Sequence, residues 1–196
     1  MVAAETQTKY TVRIKHDQDC DNPNEWAGSW KLHSFSRKHI NFTHPDEFFN
    51  QSAKASRQLA RKLEKGLAFI LSYYEHGNCV WSVKGTGPQC PWDNVEVAGI
   101  AIWNEPASNM GAKTYDQRQA DCARFLEVYT DWCNGNCYGY VIEDAEGNQV
   151  DSCWGYIGND VVDAVKLALP DDATAENTEI ECDWVCSDEL FHKATS

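Results

Sequence analysis

The chain has 196 residues with a formal net charge of −13, and its eight Trp, eight Tyr and seven Phe are enough to bury a hydrophobic core. That length suits one domain rather than two, and no stretch approaches the roughly 20 apolar residues of a membrane span. The first residues, Met1-Val-Ala-Ala-Glu-Thr-Gln-Thr, have neither a basic nor an apolar region of the kind that marks a signal peptide, so a cytoplasmic protein is expected.

In chain order, Tyr10, Val12 and Ile14 alternate with Thr11, Arg13 and Lys15, the period of a half-buried strand. An acidic turn over 16–25 leads to a second strand near Trp30–Ser36. Pro45 suits the first position of a helix ending at Gly66, with Asp46 and Glu47 in its first turn. Phe48, Phe49, Leu59, Ala60 and Leu63 would share one face of that helix, and Lys54, Arg57, Arg61 and Lys65 the other. Leu67–Glu75, Cys79–Lys84 and Val95–Trp103 read as three strands of an antiparallel sheet. Residues 104–113 form a loop, and Tyr115–Cys133 has Cys122, Phe125, Val128, Tyr129 and Trp132 at helical spacing.

Cys137–Glu143 and Val150–Ile157 flank Asp144–Asn148 as a hairpin in which Gly147 supplies a positive φ. Asn159-Asp160 would cap a short helix that stops at Pro170, and Ile180–Val185 is a candidate edge strand. Segregated strands and helices predict an α+β fold, an antiparallel sheet packed against two main helices in a single domain. Its expected limits are 1–170, with 171–196 an acidic C-terminal segment carrying the edge strand and a tail.

Charge is unevenly placed. Residues 143–196 hold fourteen Asp and Glu against Lys166 and Lys193, whereas 31–65 hold eight Lys and Arg against Asp46, Glu47 and Glu64. The acidic third repels phosphate backbones and suits basic partners.

Three segments carry a resemblance. Asp17-x-Asp19 runs to Pro23-Asn-Glu25-Trp26 after the first strand; Cys90-Pro91-Trp92-Asp93 precedes Val97-Ala-Gly99-Ile100; and Tyr138-Gly-Tyr-Val-Ile-Glu-Asp144 is followed by Gly147 and by Val150-Asp151-Ser-Cys153-Trp154-Gly155-Tyr156. In this order they resemble a family of small proteins carried by bacteriophages and mobile elements, over about residues 8–160. The resemblance implies a phage or mobile-element origin and a setting in the host cytoplasm, and it brings no catalytic residue with it.

Four clusters have residue types suited to chemistry. Cys90, Trp92 and Asp93 lie in a Gly/Pro loop with His76 one strand earlier, so a Cys–His–Asp arrangement is conceivable, against a plain Trp-anchored turn. Cys133, Cys137, Cys182 and Cys186 form two Cys-x₃-Cys pairs with spacing permissible for structural zinc, against ordinary burial of thiols. Asp17, Asp19, Asp21 and Glu25 alternate as calcium-loop ligands do, but Asn22 and Gly28 stand where an EF-hand needs Gly and Glu. Ser152-Cys153-Trp154 echoes papain-like proteases for three residues, in a strand rather than at a helix start.

No phosphate-cradling loop, dinucleotide fingerprint or nucleophile elbow occurs. With that absence, the resemblance and the acidic C-terminal segment imply, as the leading expectation, an accessory protein that needs no cofactor and binds a host or phage protein, in one form an acidic inhibitor presenting carboxylates to a defence nuclease where DNA phosphates would sit. Asp151, Trp154, Trp92 and Asp93 are its candidate contact residues. One rival is a nucleic-acid-associated protein using Lys54, Arg57 and Arg61; another is a cysteine- or metal-dependent enzyme built around Cys90 and Asp93.

Overall fold

The computed structural model describes residues 9–90 and 92–182. In chain order the strands are β1 (Tyr10–His16), β2 (Trp30–Ser34), β3 (Ala68–His76), β4 (Asn78–Val83), β5 (Asn94–Trp103), β6 (Cys137–Glu143), β7 (Gln149–Ile157) and β8 (Thr178–Cys182). The helices are α1 (Asp46–Phe49), α2 (Ala53–Glu64), α3 (Tyr115–Cys133) and α4 (Asp160–Ala168). The α+β class expected from the sequence is the class observed, but the strands divide into two four-stranded sheets rather than one. The chain forms two compact units, Met1–Asp21 with Gly135–Ser196, and Asn22–Asn134. The second is thus inserted between β1 and β6 of the first.

The first unit has the strand order β7-β6-β1-β8. β6 pairs antiparallel with both β7 and β1, and β8 lies parallel to β1 at the edge, overlapping the strand expected over Ile180–Val185, of which 183–185 fall outside the described residues. The alternation read in the sequence decides which face is buried. Tyr10, Val12 and Ile14 pack with Tyr138, Tyr140, Ile142 and with Val161 and Val165 of α4. On the opposite face Arg13 is ion-paired with Glu143 of β6 and, at 2.7 Å, with Glu181 of β8. Asn159 precedes α4 but makes no side-chain cap, contrary to its expected role.

The inserted unit has the order β2-β5-β3-β4, antiparallel throughout. Helix α3 covers one face, where Cys122, Phe125, Leu126 and Tyr129 meet Trp30, Leu32, Leu71 and Trp81. On the other face Phe48, Leu59 and Leu63 from α1 and α2 pack against Ala68, Ile100 and Ile102. The central strand β5 is therefore buried on both sides over Ala98–Trp103. The single helix expected over 45–66 is two, because Ser52 adopts an extended backbone and its side chain accepts a hydrogen bond from Ala55 N, starting a new helix. Thr114 and Gln117 form a reciprocal capping box at the start of α3. Among the described residues no helix is long and apolar enough to cross a membrane.

Candidate functional site

The acidic loop of the first unit is tied to the β6–β7 hairpin by one carboxylate. β7 bulges where its register against β6 shifts between Tyr138 and Tyr140, and Gly155 there has φ +90°. The bulge turns the Gly155 N–H out of the ladder, and Asp17 Oδ2 accepts it at 2.9 Å while Asp17 Oδ1 accepts from Asp19 N at 3.0 Å. Trp154 lies over Gly139, where a Cβ would come within 2.3 Å of two of its ring atoms. Asp17-x-Asp19 and the Gly139 and Trp154-Gly155 motifs thus form one structural device, with Trp154 left half-exposed.

On the same unit, Tyr140 donates to Asp151 Oδ2 at 2.9 Å and stacks on Tyr156, with centroids 5.9 Å apart. These three line a shallow depression with Asp160, Asp163 and Leu167 of α4. Leu167 is 89 % exposed, an apolar side chain standing among carboxylates. Burial, together with the hydrogen bond to Asp151, pushes the Tyr140 hydroxyl above its ordinary range.

The structure brings Cys90, Asp93 and His76 together, but in an order unsuited to a thiol–imidazole pair. Cys90 Sγ donates to Asp93 Oδ2 at 3.5 Å, and His76 Nδ1 lies 3.4 Å from that same oxygen. The carboxylate therefore stands between the sulfur and the ring. Trp92 is 91 % exposed, so the turn is not built on a buried indole.

Of the four cysteines considered for zinc, two have a cysteine from outside the set beside them. Cys137 lies beside Cys20, Cys182 is in the edge strand, Cys133 lies beside Cys79, and Cys186 falls outside the described residues. Among the described residues no three His, Cys, Asp or Glu side chains are grouped as metal ligands would be. Lys54, Arg57, Arg61 and Lys65 are all exposed along α2, and no ion pair among the described residues engages them. Within the first unit, Glu179 and Glu181 of the acidic segment are paired with Lys9 and Arg13.

Spacing did not reveal a further cleft, lined by two cysteines. It lies in the inserted unit, has a volume of about 270 Å³, and is walled by His39, Tyr73, Trp81, Tyr129 and Trp132. Two thiols, Cys79 and Cys133, line it. β4 is an edge strand, so Cys79 and Trp81 present unpaired main-chain groups outward. Helix α3 satisfies them: Asn134 accepts from Cys79 N at 2.8 Å and donates to Cys79 O at 2.9 Å, and Thr130 accepts from Trp81 N at 3.0 Å.

That clamp sets the end of the helix, and Cys133 with it, against Cys79. The neighbouring Cys133 thiol and, less strongly, the Tyr73 hydroxyl lower the pKa of Cys79 against the opposing effect of burial. Cys133 is shifted up by its neighbour Cys79 and by partial desolvation of its sulfur, although the residue as a whole is exposed, and Tyr129 and Trp81 act in the opposite direction. His39, bonded to Ser34 Oγ at 2.7 Å, is held below its usual value by burial. Cys79 itself followed an ordinary strand alternation, so only the fold could pair it with a cysteine at the end of a helix.

No protein-family model, no curated protein and no solved structure matches this chain.

Proposed function

We propose that this chain is a phage or mobile-element accessory protein that acts by binding a basic protein surface through its first unit, and that a defence nuclease is the partner class. The observation that carries this reading is the segregation of charge between the two units. The first unit holds eighteen Asp and Glu against five Lys and Arg, so it carries the whole net charge, whereas the inserted unit has twelve of each. A field of one sign steers a basic partner and repels DNA. The depression around Asp151, Asp160 and Asp163 adds what a protein interface needs besides charge, namely tyrosines and the exposed Leu167 as anchors.

The test is plating of an unmodified phage on restricting hosts that express the chain. Wild-type protein is expected to raise plating efficiency. The variant Asp151→Asn/Asp160→Asn/Asp163→Asn, which keeps the Tyr140 hydrogen bond, is expected to lose that effect. Equal protection by both proteins, or none by wild type on hosts spanning the main restriction types, overturns the reading.

A second reading rests on the exposed α2 stripe, which could track a phosphate backbone. It requires binding to a mixed-sequence duplex at low salt that weakens steeply as salt rises. No binding at low salt removes it.

A further inference from the structure

The cleft of the inserted unit has features that protein binding by the acidic unit leaves unused. Its two thiols come from elements distant in sequence yet line one cleft, with Tyr73, Trp81 and Tyr129 beside them in its wall. A lone buried cysteine is usually a small hydrophobe. Here two sulfurs face one open cavity, on a strand and a helix fixed together by the Asn134 clamp.

We propose that Cys79 and Cys133 form a thiol–disulfide exchange site for small, positively charged disulfides, of the aminothiol class. The Cys79 thiolate attacks one sulfur of the substrate disulfide, forming a mixed disulfide and releasing the first substrate thiol. Cys133 then loses its proton and attacks the Cys79 sulfur, closing the Cys79–Cys133 bond and releasing the second thiol. Two electrons pass from the pair to the substrate, and the two protein thiol protons appear on the two product thiols. Both cysteines line the same cleft, and Asn134, next to Cys133 in the chain, is bonded to the main chain of Cys79, so a disulfide of about 2.05 Å would join residues that the clamp already holds side by side.

The preference for a cation follows from the lining. Among the described residues that line the cleft, Glu75, directly across the strand pair from Cys79, alone carries a formal charge at neutral pH, and the aromatic rings of Tyr73, Trp81 and Trp132 in the wall suit an ammonium group. A cavity of about 270 Å³ takes a small molecule, not a folded protein.

The experiment exposes the reduced full-length chain to cystamine, and separately to oxidised glutathione as the anionic counterpart, with peptide mapping of each cysteine over time. Expected is an internal Cys79–Cys133 disulfide that forms about tenfold faster than any adduct at the exposed Cys153. Cystamine should outpace glutathione disulfide, and Glu75→Gln should erase that preference. Cys133→Ser should trap a cystamine adduct on Cys79. Tyr73→Phe, which keeps the ring and the fold, should slow Cys79. The proposal is overturned if Cys79 and Cys133 react no faster than Cys153, if adducts accumulate without the internal bond, or if the anionic disulfide reacts as fast as the cationic one.

Discussion

Asn134 holds Cys79 by both of its main-chain polar groups, standing in for the neighbouring strand that β4 lacks. A side-chain amide has the same donor–acceptor pair as a peptide group, so it can continue a ladder for one residue. It also makes the C-terminus of α3 and the edge of the sheet a single mechanical piece.

Replacing Asn134 with Ala strips two hydrogen bonds from the main chain of a buried residue and should cost about 1–3 kcal/mol of stability. Asn134→Asp keeps the acceptor for Cys79 N and loses the donor to Cys79 O, so it should fall between the two. Urea unfolding followed by tryptophan fluorescence checks the order. Equal midpoints for all three proteins would show that water replaces the clamp without loss.

Gly139 has no room for a methyl group while Trp154 stays in place, since a Cβ would lie 2.2 Å from one ring atom. Gly139→Ala should therefore destabilise the protein by about 1–3 kcal/mol and release Trp154 into solvent. In a Trp154→Ala background the same change should cost less, because the ring is then absent, although the Cys153 carbonyl oxygen, 2.9 Å from the added carbon, still resists it. A double-mutant cycle on melting or urea midpoints gives the coupling directly. Additive costs would show that the indole does not press on Gly139.

Acid should weaken the inserted unit through its histidines. Burial lowers the pKa of His39, and of His33, below the ordinary value of about 6.5, so the unfolded chain takes up these protons more readily than the folded one. The stabilising neutral form is fully present above that value. Stability is lost as pH falls through it towards the lower folded values. The carboxylates titrate too, so the diagnostic is the difference between wild type and His39→Asn, compared at pH 8 and pH 5.5 by urea midpoint. The variant should lose less on acidification, and an identical loss would rule out His39 as a contributor.

Local pattern carried much of the fold. The helix expected over Tyr115–Cys133 has those limits in the structure, and the hairpin around Gly147 stands, with φ +81° at that glycine. Both rest on contacts or turn geometry within a few residues. The break at Ser52 was hidden because apolar spacing continues across it from Phe48 to Leu59 while the backbone does not. Membership of two sheets was also hidden, since β1 finds its partners in β6 and β8 only after the intervening unit has been passed.

The cysteines make the same point for the site. Short spacing suggested Cys133 with Cys137, yet Cys133 lies by Cys79 and Cys137 by Cys20, neighbours that depend on tertiary structure. Cys90 and Asp93, adjacent in a loop, did come together as the sequence suggested. The motifs around Gly139 and Trp154 were legible as a pattern, whereas their reason, an indole seated on a glycine, is a matter of register.

The insertion of one unit within the other has a consequence for how the chain reaches this state. Residues Asn22–Asn134 are contiguous and supply every strand of their own sheet, so this stretch can collapse without waiting for either end of the chain. β1, made first, has no partner until β6 emerges after that whole stretch, and its other neighbour, β8, comes later still. Collapse of the insert brings the two junctions nearer and reduces the loop entropy that the β1–β6 pairing must overcome. Weakening the insert should thus slow the closing of a sheet to which it contributes no strand.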